Sequence, residues 1–374
     1  MKKLRLGIIG GGLMGREMAS ALSRWCALSD IQVGCELTAI CDLQPSVRDW
    51  FRRISTVGLV TSDYKELLAS PHVDAVYVAV PHNLHERIYI DVLEAGKDLL
   101  AEKPFGLDLA AARNIARRGR ELNRFVRCSS EFPFFPGAQR VFELARSGTL
   151  GRPLEIRAGF LHSSDLDPNK QANWKRLNAT CGEIGVMGDL GMHVLHLPLR
   201  LGWKPRRVYA QLQRGYEQRP DGKGGMTVCD TWDNASLHTD VLVEGREIPM
   251  QLEMKRLAPG EMNTWYFDIL GTERAARFST KNPKALGLFE RRSEQVWQTI
   301  EIGSQSVFPT ITGSIFETGF SDVFLQMIAG FAAEWSGTLV NRFGCATPEE
   351  AVASHELFAA ALMSHEKKKV VELQ

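Results

Sequence analysis

Over the first ~127 residues, short apolar runs alternate with amphipathic stretches. The runs are Leu4–Ile9, Leu37–Cys41, Ala75–Val80, Asp98–Ala101 and Phe125–Cys128. They lack polar alternation, which is the pattern of parallel strands covered on both faces. Between them, helical periodicity predicts helices over Leu13–Trp25, Ser46–Ile54, Tyr64–Ala69, Leu84–Ala95 and Leu107–Leu122. Gly96 supplies a helix stop, and Pro71 ends another helix. Strand and helix in repeated succession give a chain of βαβ units.

The pattern changes after about residue 128. A helix over Gly137–Ser147 is closed by Gly148. Strands are predicted over Leu154–Phe160, Arg207–Leu212, Asn234–Val243, Ile248–Lys255, Trp265–Leu270 and Ala275–Ser279. Their connections read as hairpins, as at Val243-Glu244-Gly245-Arg246, so a mainly antiparallel or mixed sheet is expected. Residues 214–231 are rich in glycine and charge and read as an exposed loop. Pro348–Lys367 is an amphipathic helix with Thr347 as N-cap. A chain of 374 residues exceeds the roughly 250–300 at which single cores stop growing. Two domains follow, 1–127 and 128–374.

Apolar residues make up 44% and charged residues 24%, an ordinary globular balance. The formal charge of +1 gives no electrostatic footprint for nucleic acid. No apolar run approaches the ~18–20 residues that span a bilayer, and Met1–Gly10 reads as a first strand, not a leader. Seven scattered cysteines without a CxxC pair fit reduced thiols and a cytoplasmic setting.

Five motifs carry chemistry. Gly10-Gly11-Gly12-Leu13-Met14-Gly15 is a G-x-G-x-x-G between a strand and a helix. Gly10 permits a tight turn, Gly12 lets the backbone approach a pyrophosphate, and Gly15 lets helix and sheet pack closely. Asp42 ends the next main strand, where an acid can bond an adenosine ribose and repel a 2′-phosphate. It favours NAD over NADP, although an extension around Ala27–Cys35 lengthens the usual spacing. Pro81, Asn83 and His85 follow the third main strand, at the strand ends where such folds bind ligands. Asn83 could cap the helix or face a nicotinamide. His85 could be a structural histidine. Glu102-Lys103-Pro104 ends another strand, and a lysine before proline is held extended, where it could polarise a substrate oxygen. Asp189 and His193 stand at i and i+4 of a helix, with His196 nearby. His193 could carry a proton near neutral pH. A metal site of Asp189, His193 and His196 is a minor alternative, and no metal is expected.

Taken in order, these motifs resemble the Gfo/Idh/MocA family of glucose–fructose oxidoreductase and inositol dehydrogenase type. Further similar stretches are Ser147–Pro153 and Ile269–Glu273. The resemblance implies an α/β N-terminal Rossmann domain and a C-terminal α/β domain built on a large open, mainly antiparallel sheet. It implies a homo-oligomer, dimer or tetramer, formed through that sheet. It also implies a catalytic set of Lys103, Asp189 and His193, with the cofactor held by Gly10, Gly12, Leu13, Met14, Gly15, Asp42, Pro81, Asn83, His85, Glu102 and Lys103. The implied activity is hydride transfer between NAD(P) and a hydroxyl or keto group of a sugar, anhydrosugar or polyol. Trp174 is a candidate to stack on a sugar. His162, Asp165, Lys175 and Asn178 are candidates to bond its hydroxyls.

Two rival readings use the same residues. One is a glycosidase that oxidises its substrate transiently on a tightly held NAD. The other is a dinucleotide-sensing regulator without catalysis. The stretches 163–180 and 303–320 have the position and composition of loops able to close over a substrate.

Overall fold

The computed structural model describes residues 2–303, 306–313 and 316–373. Within the second expected loop, residues 304, 305, 314 and 315 lie outside the described residues. The chain forms two compact units. The first comprises Met1–Gly106, Ala110–Phe134 and Gln305–Glu349; the second comprises Leu107–Leu109, Phe135–Ser304 and Glu350–Gln374. The break near residue 127 thus falls a few residues later, and a stretch near the end of the chain returns to the first unit.

The first unit is built from β1 (Lys2–Ile9), α1 (Leu13–Ser23), β2 (Val33–Cys41), α2 (Pro45–Phe51), β3 (Leu59–Thr61), α3 (Tyr64–Ala69), β4 (Ala75–Val78), α4 (His85–Glu94), β5 (Asp98–Ala101), α5 (Leu109–Glu121) and β6 (Val126–Cys128). All its strands are parallel, in the order β3-β2-β1-β4-β5-β6. The order reverses between β1 and β4, so the ligand crevice of such a sheet lies outside the ends of these two strands. Leu4, Leu6, Ile8, Val76, Tyr77, Leu99 and Leu100 are fully buried, which is why these runs carry no polar alternation. The surplus residues after α1 form a 3₁₀ turn, Trp25–Ala27, and an early start to β2.

The second unit contains α6 (Pro136–Arg146), β7 (Pro153–Leu161), α7 (Asn178–Cys181), α8 (Val186–Arg200), β8 (Pro205–Gln213), β9 (Gln218–Pro220), β10 (Met226–Val228), β11 (Asn234–Val243), β12 (Arg246–Lys255), β13 (Thr264–Gly271), β14 (Arg274–Ser279), β15 (Ala285–Glu290) and β16 (Gln298–Glu301). The chain then adds α9 (Phe320–Ser336) to the first unit and ends in α10 (Pro348–Lys367) and β17 (Val371–Glu372). Nine strands form one sheet in the order β16-β15-β14-β13-β7-β12-β11-β8-β17. Only β7 and β12 pair in parallel; every other neighbour is antiparallel. Along β12, Ile248, Met250, Leu252 and Met254 face the core while Glu247, Pro249 and Gln251 face out. Helices α6 and α8 pack against this sheet.

Residues 214–231 are not simply an exposed loop. They fold into the small sheet β9–β10, and Arg219 and Cys229 are buried. The periodicity of α9 was invisible for a different reason. Its residues Val323–Ala333 are buried without interruption, so no polar face marks the helix. Gln326, its one buried amide, donates to the Phe308 carbonyl at 2.9 Å and accepts the Phe308 N–H at 2.7 Å. None of the seven cysteines is joined in a disulfide. Among the described residues no helix is long and apolar enough to cross a membrane.

Gly191 lets α8 lie close to its neighbours. A Cβ there would stand 2.3 Å from the Phe358 ring and 3.2 Å from the Met254 sulfur. Gly191→Ala therefore overpacks a rigid contact and should destabilise by about 1–3 kcal/mol, read as a lower urea midpoint at unchanged slope.

Candidate active site

The cofactor-binding candidates of the first unit gather around the ends of β1, β2, β4 and β5. Gly10 has φ +95, and a Cβ there would stand 2.2 Å from the Ala79 carbonyl oxygen. A Cβ on Gly15 would stand 2.2 Å from the Gly10 oxygen. Side chains at either position would break the turn. Gly12, by contrast, faces open space and is the N-cap of α1, which has no side-chain cap and no acid in its first turn. The first N–H groups of α1 are thereby left for an anion. Leu13 is 71% and Leu43 82% exposed, leaving apolar surface beside the glycine turn and the β2 end. Met14 is half-buried in the first turn of α1.

Asp42 holds the loop as well as facing it. Its Oδ2 accepts the Gly11 N–H at 2.7 Å, and its Oδ1 accepts the Gln44 N–H at 2.8 Å. Arg48 donates to the carbonyls of Asp42 and Leu43 at 2.7 and 2.9 Å. Its cation thus sits at the same strand end but is spent on main chain.

After β4, Pro81 leads into a 3₁₀ turn at His82–Leu84 in which Asn83 is exposed. His85 is fully buried. Its Nδ1 lies 2.8 Å from the Pro104 oxygen and its Nε2 2.9 Å from the Val80 oxygen. Burial pushes its pKa down to about 4, against the pull of those two carbonyls. A neutral ring donates to one of the two. Both nitrogens are thus turned toward main-chain carbonyls and away from a ligand.

Glu102 is likewise buried. Its Oε1 accepts from the Tyr77 and Ser129 hydroxyls, each at 2.6 Å, and its Oε2 accepts the Lys103 N–H at 3.2 Å. Tyr89 donates to the Glu102 carbonyl at 2.8 Å and stacks on His85 at 4.8 Å. The half-buried Lys103, preceding a cis peptide to Pro104, thus stands on a backbone clamped from below. Sequence reasoning missed Glu131, a buried carboxyl raised to about 8 by burial and then by the charge of Glu102.

In the second unit, Gly185, with φ 52, is the N-cap of α8, and Asp189 lies in the helix's first turn. Both oxygens of Asp189 accept from Lys175 Nζ, at 2.9 and 3.0 Å. Its Oδ2 also accepts from Arg256 Nη2 at 3.1 Å and Nε at 3.3 Å. His193 follows one turn later, buried, with its ring edge-on to Phe160 at 5.4 Å. Trp265 Nε1 donates to the His193 carbonyl at 2.9 Å. His162 also packs against Phe160, at 4.6 Å. The structure thus brings Lys175, Asp189, His193 and His162 into one neighbourhood.

Trp174 is half-buried, with the Lys175 ammonium 5.6 Å from its ring. Asn178 opens α7, its N–H donating to Asp230 at 2.6 Å and its side-chain oxygen buried without a partner among the described residues. Asp165 is committed elsewhere, paired with Arg176 and, at 2.9 Å, with Lys170. It serves a buried ion network and is not a group left for sugar hydroxyls. His196 is fully buried, its Nε2 3.2 Å from Arg200, which also grips Glu350. Among the described residues no cluster could hold a metal ion.

Arg256 is the residue that sequence reasoning missed here. Its signal was in the alternation of β12: the core-facing series 248, 250, 252, 254 continues to 256, where an arginine stands in an apolar position.

Residues 4–129 match the model of the oxidoreductase family with NAD-binding Rossmann fold, GFO/IDH/MocA, and residues 138–277 match that family's C-terminal domain. The chain belongs to the GFO/IDH/MocA family. It is thus an oxidoreductase with an NAD-binding domain. A levoglucosan dehydrogenase of Pseudarthrobacter phenanthrenivorans is 26% identical over 309 residues, 79% of this chain and 76% of that one. A trans-1,2-dihydrobenzene-1,2-diol dehydrogenase of Sus scrofa is 27% identical over 255 residues, 65% of this chain and 72% of that one. A levoglucosan dehydrogenase solved with NADH and L-sorbose superposes with TM-score 0.89 at 22% identity, covering 100% of both chains. An inositol dehydrogenase homolog from Azotobacter vinelandii, solved with NAD+, gives 0.82 at 20% identity over 99% of this chain and 97% of that one. The GFO/IDH/MocA fold is therefore shared over the whole chain.

Glu131 gives this family member a testable pH signature. Its pKa is about 8 in the folded state against 4.5 when unperturbed. Below 4.5 both states hold the proton. From 4.5 to 8 the unfolded chain loses it while the folded chain keeps it, so this group makes stability fall as pH rises through that window. Glu131→Gln should therefore match the parent at pH 4.5 and exceed it at pH 8 by on the order of 1–3 kcal/mol in urea unfolding.

Proposed function

We propose that this chain is an NAD-dependent dehydrogenase or reductase acting on a CH–OH or keto group of a sugar, anhydrosugar or polyol. The observation that carries it is Asp189, already neutralised by Lys175 and Arg256, one helical turn before the buried His193. A carboxylate that two cations hold ionised is a poor proton acceptor. That leaves the imidazole as the group able to take a proton near neutral pH. His193 removes the hydroxyl proton in oxidation and returns it in reduction. Lys103, presented by the clamped Glu102–Pro104 turn, stabilises charge developing on the substrate oxygen. Asp189 accepts from a substrate hydroxyl and holds the imidazole in position. When bound, the dinucleotide accepts or supplies the hydride at its nicotinamide.

The residues at the ends of β1, β2 and β4 fit that cofactor. The uncapped N-terminus of α1 suits a pyrophosphate, and the open side of Gly12 admits it. Asp42, fixed by Gly11 and Gln44, suits a ribose diol and opposes a 2′-phosphate, which supports NAD over NADP. Pro81 and Asn83, after β4, would line the nicotinamide end. On the substrate side, Trp174 offers a face for a sugar ring, while Lys175, His162 and the buried oxygen of Asn178 offer hydrogen bonds. The relatives named for levoglucosan and dihydrobenzenediol, both vicinal hydroxyl compounds, support this substrate class. The reading includes a cytoplasmic enzyme that works as a homo-oligomer, dimer or tetramer, through its nine-stranded sheet.

Lys103→Ala and His193→Ala should each lower turnover of the productive polyol roughly 10²-fold or more. NADH affinity, followed by fluorescence, should change little. Near-native turnover in both variants sinks the assignment. Asp42→Ala should narrow the gap between NAD and NADP in kcat/KM; an unchanged ratio removes its role in selection.

A further inference from the structure

We propose that Arg256 is a positioning residue that locks Asp189 and the 173–182 segment into their working arrangement. The inference rests on the reading of Asp189 and His193 above and names the group that organises them.

Arg256 is held before it holds anything else. It directly follows β12, and its N–H donates to the Asp233 carbonyl at 2.9 Å. The next residue is pinned twice by Asn234. The Leu257 N–H donates to Asn234 Oδ1 at 3.0 Å, and Asn234 Nδ2 donates to the Leu257 carbonyl at 3.1 Å. Only 2% of the residue is exposed. Its guanidinium is thus presented from a rigid sheet end, and its planar fork loses little freedom on bonding.

That fork joins three pieces of chain. Nε and Nη2 reach Asp189 in α8, Nη1 reaches the Lys175 carbonyl at 3.4 Å, and Nη2 lies 3.9 Å from Cys181 Sγ in α7. Lys175 itself caps the same carboxylate through its ammonium. So Arg256 supplies one cation to Asp189 directly and fixes the main chain that supplies the other. The two cations differ in environment: Lys175 has a third of its side chain exposed, whereas the Arg256 side chain is 3% exposed. The buried one is screened least and sets the carboxylate's ionisation. The groups facing Asp189 are Lys175 from the 173–176 turn, Cys181 from α7, Arg256 after β12 and His193 on its own helix. Burial pulls the guanidinium down and Asp189 with Cys181 more than restores it, while burial raises Cys181. Arg256 remains the charged member.

Removing that cation takes from the buried carboxylate the positive charge that solvent screens least, and its pKa must rise. The acid limb of kcat/KM, which requires ionised Asp189, then moves to higher pH. The test compares Arg256→Gln and Arg256→Lys in the full chain. It uses NAD with whichever sugar or polyol is turned over, hydrogen exchange, thermal melting and NADH fluorescence. Expected for Arg256→Gln are a kcat loss of ~10²-fold, an acid limb displaced upward, and faster exchange across 173–182, with NADH affinity retained. Arg256→Lys should restore part of kcat and the limb. An unaltered limb and unaltered exchange in a folded Arg256→Gln overturn the proposal. If Arg256→Gln fails to fold, Arg256→Lys decides, and wild-type exchange, kcat and limb in it overturn the proposal. If the parent turns over no substrate, the functional reading fails, while the exchange comparison still decides what Arg256 holds.

Discussion

Asp189 has only 4% of its surface exposed, and a carboxylate so placed survives as an anion only when cations are brought to it. Two are brought, from chain segments far apart in sequence: Lys175 from a turn before α8, Arg256 from the end of a sheet strand. Much of the second unit's irregular chain answers to this need. The adjoining Arg176 is itself buried against Asp165 and Asp233, and Arg219 donates to the carbonyls of Asp165 and Asp167. Such a network is costly to desolvate and contributes more to specifying one arrangement than to raw stability. What it specifies is the course of the chain through 165–176, which carries Lys175 to Asp189.

The first unit solves the complementary problem with neutral groups. Gly10 and Gly15 allow the turn, and α1 leaves its first N–H groups uncapped. Below Lys103, Tyr77 and Ser129 donate to the Glu102 carboxylate and Tyr89 to its carbonyl, with the His85 ring packed beside them. The lysine is thereby carried on a backbone with little freedom, as its proposed role at a reacting oxygen requires.

The strands of the first unit could be read directly because burial on both faces writes itself as short, mostly apolar runs without regular polar alternation. The motifs at β1, β2, β4 and β5 could be read because their residue types are set by local backbone needs. What escaped was non-local. Strand β3 is three residues long, too short for any period. Helix α9 is buried on every side, so it shows no amphipathic face. The return of residues after 305 to the first unit depends on packing that no local pattern encodes. His85 and Asp165 read equally well as ligand contacts until their partners were known. Arg256 was legible in principle, as a charge at a core position of an alternating strand, but its meaning depends on Asp189, 67 residues away.

The most direct test of the account is the reduced-nicotinamide absorbance of the purified protein. NAD or NADP would be mixed with a panel of sugars, polyols and anhydrosugars, and the reverse reaction run with NADH and keto-sugars. The band should grow stoichiometrically with one vicinal hydroxyl compound, and faster with NAD than with NADP. No net change with any substrate, cofactor or direction would contradict it and would turn attention to a tightly held dinucleotide that is never exchanged.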